Sequence, residues 1–225
     1  MKGKIKRLAS IWLVAMMLLS FLPTVSAEIT GEGTEASPYL ISSVSDLQAF
    51  ATDVNSGISY SGKYVKLTAS LDLTDIDWTP IGKTYAEFQG TFDGGHHVIK
   101  GLSISTSVRY AGFFGKLVDA TVKNLGIENA TVESGYADVA VLAGNAKGGL
   151  IENCYVTGSV TGSAGVGGIL GSTHSSSYET VIRNCYARVA MDNSGADTDD
   201  WAGISGWNES TSVKIIIRLL RTYRP

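Results

Sequence analysis

Four acidic side chains, Asp192, Asp197, Asp199 and Asp200, crowd into one short stretch and form the single acidic cluster of the chain. Oxygen-rich loops of this kind hold calcium, so these four are the candidate calcium ligands. Their spacing misses the alternating-ligand pattern around a fixed glycine that defines an EF-hand loop, and a solvated acidic loop is the simpler reading. His96 and His97 are adjacent, with Asp93 nearby. Neighbours on a strand point to opposite faces, which is poor geometry for one metal ion. His174 stands alone among serines and reads as a solvated loop residue. The sequence carries no phosphate loop, no Cys-x-x-Cys pair and no Gly-x-Ser-x-Gly elbow. No catalytic residue and no resident cofactor other than that calcium ion is expected.

The elements that must position these residues emerge from an internal repeat. Asn124-Leu125-Gly126-Ile127 is followed by Asn153-Cys154-Tyr155-Val156 and by Asn184-Cys185-Tyr186-Ala187. A second landmark keeps the same spacing out of phase: Gly112-Phe113-Phe114-Gly115, Leu142-Ala143-Gly144, Gly167-Gly168-Ile169-Leu170-Gly171 and Gly203-Ile204-Ser205-Gly206, with Ile99 to Ile104 as an earlier, weaker copy. A period near 30 residues also suits helical arrays. Here, however, each repeat is dense in glycine and β-branched residues, which are poor helix formers, and polarity alternates with period two. Val122, Ile151 and Ile182 share the inward parity of a strand, whereas Lys123, Glu152 and Arg183 share the outward one. The chain therefore reads as an all-β, multi-rung β-solenoid.

Stacking the repeats at the roughly 4.8 Å spacing of neighbouring strands generates specific columns. Lys123, Glu152 and Arg183 form a ladder of alternating charge. Asn124, Asn153 and Asn184 form an amide ladder at a bend. Leu125, Cys154 and Cys185 line up inside, and two cysteines stacked in parallel point the same way, which disfavours a disulfide. Tyr155 and Tyr186 fall on the outward parity of adjacent rungs and stack, either as a platform for a glycan or protein partner or as a brace for the sheet. Ahead of the repeats, Ser43 or Ser45 caps a helix running to about Asn55, with Leu47, Phe50, Ala51 and Val54 on one apolar face. Such a helix can cover the open end of the first rung.

The chain begins with Lys2, Lys4, Lys6 and Arg7, then an apolar run from Ile11 to Leu22, then Val25-Ser26-Ala27. This is the pattern of a secretory signal peptide cleaved after Ala27, and nothing later is apolar enough for a transmembrane segment. The whole sequence has 18 basic and 21 acidic residues. Loss of residues 1–27 removes four basic residues and no acid, leaving 14 basic residues against 21 acids, a net charge of −7. That balance speaks against nucleic acid as a partner. The expected organisation is 1–27 signal peptide, 28–82 N-terminal cap and first strands, 83–213 solenoid repeats, and 214–225 an aberrant tail. The tail has three arginines, no acid and no glycine where the repeat predicts an Asn-Cys-Tyr-like strand. Codons for Asn-Tyr-Tyr-Ser read after loss of one base can give Ile-Ile-Ile-Arg, so a frameshift is one origin for it.

The stretch Gly90-Thr91-Phe92-Asp93-Gly94, the Ala111-Gly112-Phe113-Phe114-Gly115 element, and the Gly-Gly-Ile-Leu-Gly and Asn-Cys-Tyr repeats together resemble GLUG-motif proteins of bacterial cell surfaces. Pro38-Tyr39-Leu40-Ile41 and Trp78-Thr79-Pro80-Ile81-Gly82 are similar to the lead-in of that family, and the resemblance spans about residues 31–213. It implies a right-handed parallel β-helix, secreted or surface-attached, serving adhesion, binding or structural display without catalytic residues of its own. Asp93-Gly94-Gly95-His96-His97 departs from the family's Asp-Gly-Asn-Gly-His, and the surface-layer module or sorting signal that the resemblance leads one to expect is not read after the repeats, as a truncated array predicts. Polysaccharide lyases and hydrolases also use parallel β-helices, so a carbohydrate-active enzyme is the alternative. Such an enzyme needs converging carboxylates, whereas the acids here sit in turns or on single outward positions such as Glu152.

Overall fold

The computed structural model describes residues 29–174, 177–193, 201–208 and 213–216. Over the described residues the chain is a β-solenoid of about five turns with one short helix. Its longest sheet stacks β1 (Tyr39–Ile41), β2 (Tyr64–Leu67), β4 (Thr91–Asp93), β8 (Thr121–Lys123), β12 (Gly149–Glu152), β16 (Thr180–Arg183) and β20 (Val213–Ile216), every neighbouring pair parallel. A second face stacks β3 (Leu71–Asp72), β5 (Val98–Lys100), β9 (Gly126–Ser134), β13 (Tyr155–Gly162) and β17 (Tyr186–Asn193). β6 (Ser103–Thr106) continues β5 and pairs with the second half of β9. The third face is β7 (Phe114–Val118), β11 (Ala143–Lys147), β15 (Leu170–Thr173) and β19 (Ser205–Asn208). The short strands β10 (Val139–Ala140), β14 (Val166–Gly167) and β18 (Trp201–Ala202) form a separate strip that leads into it.

The inward parity read from the sequence is the core. Phe92, Val122, Ile151 and Ile182 stand in register on successive rungs and are all buried. The N-terminal coils are filled by aromatic rings: Phe50 lies 5.8 Å from Phe92, Phe88 lies 5.6 Å from Phe114, and Trp78 stacks 5.3 Å from Phe113. Trp78 Nε1 also donates to the Phe113 carbonyl at 3.1 Å, so the buried indole keeps no unpaired donor. Helix α1 (Val44–Asn55) carries this aromatic packing over the first coil. Ser43 and Asp46 form a reciprocal capping box at its N-terminus. Leu47, Phe50, Ala51 and Val54 are its buried face, as their spacing predicts.

The recurring Gly-x-x-Gly landmark has a steric cause. On each coil the glycine of the third face lies against backbone at the start of the short strip. A Cβ on Gly144 would stand 2.6 Å from Tyr110 Cα, one on Gly171 2.6 Å from Val139 N, and one on Gly206 2.6 Å from Val166 N. Backbone at that distance cannot yield, so only glycine lets the coil turn tightly between strip and sheet. The segment Ile99 to Ile104 is not an earlier copy of this landmark. It lies on the second face, where Val98 pairs with Gly126 and Ser103 with Thr131. The counterpart of Phe114 on the preceding coil is Ile81, which bridges it in parallel.

Gly135 offers the internal control, since a Cβ there meets nothing within 4 Å. Gly171→Ala is expected to destabilise the protein by about 3 kcal/mol, and Gly135→Ala to stay within about 0.5 kcal/mol of the parent. Chemical denaturation measures both, and equal effects would remove the steric account.

Candidate functional site

Two clusters of polar side chains run across the coils, one on the column that the sequence reveals and one that it does not. At the bend between the first and second faces, Asn124, Asn153 and Asn184 all take left-handed backbone angles, with φ of 55°, 53° and 54°. Asparagine tolerates this region better than most residues. Asn184 Nδ2 donates to Asn153 Oδ1 at 3.2 Å, Asn153 Nδ2 to Asn124 Oδ1 at 3.1 Å, and Asn124 Nδ2 to Asp93 Oδ1 at 3.0 Å. The amides satisfy one another along the stack. The backbone N–H groups of Asn124 and Asn153 separately reach the Glu152 and Arg183 carbonyls. Asp93 anchors the ladder. Burial pushes its carboxyl up, but the Asn124 amide, the Gly95 N–H and the nearby Lys123 and Lys66 outweigh that and hold it below the usual carboxylate value. Gly95 and His96 both take positive φ in the turn that follows, 59° and 62°, a region in which histidine is strained relative to glycine. His96 is exposed and His97 half-buried.

Beside the amides runs the charge column. Register places Lys66, Asp93, Lys123, Glu152 and Arg183 in line. Arg183 grips Glu152 with two bonds of 2.8 and 2.9 Å, and Lys123 Nζ lies 3.6 Å from Asp93 Oδ2. Inside the bend, Cys154 is buried and Cys185 half-buried, and both thiols are free. Burial pushes the Cys154 thiol well above its ordinary value.

Tyr155 and Tyr186 meet as their parity predicts, with ring centroids 5.1 Å apart and planes 7° from parallel. The stack uses the faces that a sugar would need on Tyr155. Its underside covers Gly126, where a Cβ would fall 2.5 Å from the ring, and its upper side meets Tyr186. The Tyr155 hydroxyl donates to Glu128 Oε1 at 2.7 Å, and that bond, aided by burial, pushes its pKa up to about 12. Tyr155 is thus a brace, while Tyr186, 55% exposed, is the member open to a partner. Of the four candidate calcium ligands, Asp192 lies near the end of β17, and Asp197, Asp199 and Asp200 fall outside the described residues. Among the described residues no group of three or more His, Cys, Asp or Glu side chains could hold a metal ion.

The second cluster corrects the reading of His174. Its ring is not a solvated loop residue but the junction of a strap across successive coils. His174 Nε2 lies 3.0 Å from Asp138 Oδ1, 3.2 Å from Ser172 Oγ and 3.1 Å from Arg109 Nη2. Arg109 Nε bonds the other Asp138 oxygen, and Asn145 Nδ2 reaches Ser172 Oγ at 3.1 Å. Trp207 from the next coil packs edge-on, 4.7 Å away. Asp138 is fully buried. Burial raises its pKa, yet the hydrogen bonds of His174 and Ser172, the His174 charge and Arg109 hold it below the usual value. Serine, histidine and aspartate together invite comparison with a nucleophilic triad. In such a triad the histidine uses one ring nitrogen for the serine and the other for the carboxylate. Here all three partners crowd onto Nε2, which is not the arrangement of such a triad, and the contacts join successive coils.

No protein-family model matches the chain. Halomucin from Haloquadratum walsbyi is 38% identical over 170 residues, covering 69% of this chain and 2% of that protein. A protein of Evansella cellulosilytica assigned as a Gly-rich membrane protein is 34% identical over 131 residues, covering 56% of this chain and 15% of that one. The chain therefore spans only a small part of the length of the relatives it matches. Among solved structures, a Bacteroides ovatus protein assigned as an immunoglobulin A1 protease superposes with a TM-score of 0.63 at 27% identity, over 84% of this chain and 66% of that one. Among the described residues no helix is long and apolar enough to cross a membrane.

The Asp138 strap has a definite pH signature. A carboxyl whose folded pKa is depressed stabilises fully above its unfolded value, near 3.9, and loses that contribution as pH falls through the folded value. Asp138→Asn is expected to cost about 3 kcal/mol near neutral pH and to flatten the fall in stability below about pH 4. Urea midpoints measured from pH 6 to pH 2 read both, and an unchanged acid limb would remove Asp138 from the account.

Proposed function

We propose that the chain is a non-catalytic module of a secreted or cell-surface protein, a GLUG-type solenoid that serves adhesion, binding or structural display toward a glycan or protein partner. The observation that carries this reading is how the acids are used. Asp93 faces Lys123, Glu152 faces Arg183, Glu87 faces Lys116, Asp138 holds Arg109 and His174, and Glu128 accepts from Tyr155. Each of these carboxylates is committed to joining elements of the stack, and a pair of free carboxylates flanking a substrate, as glycoside hydrolysis requires, is not among them. The similarity to a halomucin and to a Gly-rich membrane protein supports a place at the cell surface. The share of halomucin that the match covers, 2%, supports a solenoid carried as one module of a larger protein, and the protein assigned as an immunoglobulin A1 protease shares the solenoid fold.

The direct test is turnover against retention. The full chain is incubated with a polysaccharide panel in the presence of calcium and, separately, with immunoglobulin A1. Reducing ends and cleaved heavy chain are measured alongside co-sedimentation with each insoluble glycan. Retention without turnover is the expected outcome. Release of reducing ends would replace this reading with a carbohydrate-active enzyme, and heavy-chain cleavage with a protease.

A further inference from the structure

One corner of the surface combines an exposed aromatic ring, a cleft and several cations. Between α1 and the third face the chain makes a tight two-residue hairpin in which Lys83 and Ala86 exchange backbone hydrogen bonds of 3.1 and 2.9 Å. Its tip residue Tyr85 takes φ of 67° and is 92% exposed. Left-handed backbone at a bulky residue costs energy, and a phenol ring held in water gains nothing from folding. Ala86 and Phe88 are buried beside it, so packing does not require a tyrosine here. The Glu87 carboxylate accepts from the Tyr85 N–H at 3.2 Å and pairs with Lys116 at 3.2 Å, which fixes the tip to the sheet.

Behind the tip lies a cleft of about 610 Å³ lined by Thr79, Lys83, Thr84, Val108, Arg109 and Tyr110, among others. Arg109 and Lys116 flank the Tyr110 ring at 5.3 and 5.5 Å from its centroid. The chain as a whole is acidic, with a net charge of −3, yet this corner gathers three cations. Two of them, Lys83 and Arg109, line the cleft, whereas Lys116 and its partner Glu87 stand outside the lining. The buried Asp138 holds Arg109 through Nε, and His174 holds it through Nη2, both from behind. Among the described residues Lys83 pairs with no acid.

We propose that this cleft binds a carboxylate-bearing sugar unit of an acidic glycan, an inference that rests on the binding-module reading and names its ligand. Lys83 and the open side of the Arg109 guanidinium take the carboxylate. Thr79 and Thr84 supply hydroxyls matched to a sugar's own. Tyr110 gives the lining apolar ring surface with a polar edge, the combination enriched where one side of a contact is dry and the other wet. Tyr85, next in the chain to the lining residues Lys83 and Thr84, extends that surface beyond the cleft.

The full chain is titrated calorimetrically with a galacturonate oligomer and with its methyl ester, which keeps the shape and removes the charge. Binding to the acid alone, weakening as salt rises, is expected. Lys83→Ala and Tyr85→Ala, both at an exposed tip, are each expected to weaken it about tenfold, Lys83→Glu to abolish it, and Lys100→Glu, an exposed position on the second face outside the lining, to leave it unchanged. Far-ultraviolet circular dichroism confirms that the variants keep their β-structure. Equal binding of acid and ester, equal competition by polyglutamate, indifference to Lys83→Glu, loss on Lys100→Glu, or no binding would each overturn the proposal. Retention of neutral glycans alone would overturn the cleft and spare the module, whereas turnover would overturn the module.

Discussion

In-register parallel stacking is the constraint from which the remaining features follow. Once Phe92, Val122, Ile151 and Ile182 occupy one line, every other residue of a rung is opposed to a fixed residue of the next. A parallel stack therefore places like beside like, which suits apolar and amide side chains and punishes charged ones. The chain meets the second condition by alternating sign along its charged column, from Lys66 through Asp93, Lys123 and Glu152 to Arg183. It meets the need for close approach with glycine. Gly144, Gly171 and Gly206 let backbone touch backbone where the coil turns, and Gly126 makes room for the ring of Tyr155.

How much of this the sequence discloses depends on whether a residue repeats. Asn124, Asn153 and Asn184 recur at nearly constant spacing, so their ladder and the neighbouring tyrosine and cysteine columns could be read directly. The α1 face was legible for a different reason, since helical periodicity is local. The Arg109, Asp138 and His174 strap was not legible. Its members are not equivalent positions, their separations of 29 and 36 residues differ, and His174 lies among serines that carry no pattern. Proximity there is created by loops that return to one edge of the third face, which no periodic signal encodes. The segment Ile99 to Ile104 shows the opposite error. Gly101-Leu102 resembles the glycine landmark locally, but pairing decides the face, and Ser103 pairs with Thr131.

The same distinction separates scaffold from site. Columns that repeat are occupied by their own contacts, and the two tyrosines show it, because the faces that stack on each other are not offered outward. Features that occur once, such as the Lys83–Ala86 hairpin with its exposed Tyr85, escape that logic, and a solenoid can vary them without disturbing its register. Recognition is more readily placed on such single departures than on the ladders.

The amide ladder also has a direction. Each asparagine donates toward the N-terminal rung, Asn124 and Asn153 also accept from the C-terminal one, and the line ends on a carboxylate that only accepts. The aligned dipoles reinforce one another, so the stack has an electrical head at Asp93 and a tail at Asn184. Chemical ageing therefore acts unequally along it. Spontaneous deamidation at Asn153 would turn a donor into a second carboxylate facing the Asn124 carbonyl oxygen, and so set two acceptors against each other in mid-ladder. The same conversion at Asp93 has in effect already been made, at the one rung where an acid completes the line instead of breaking it.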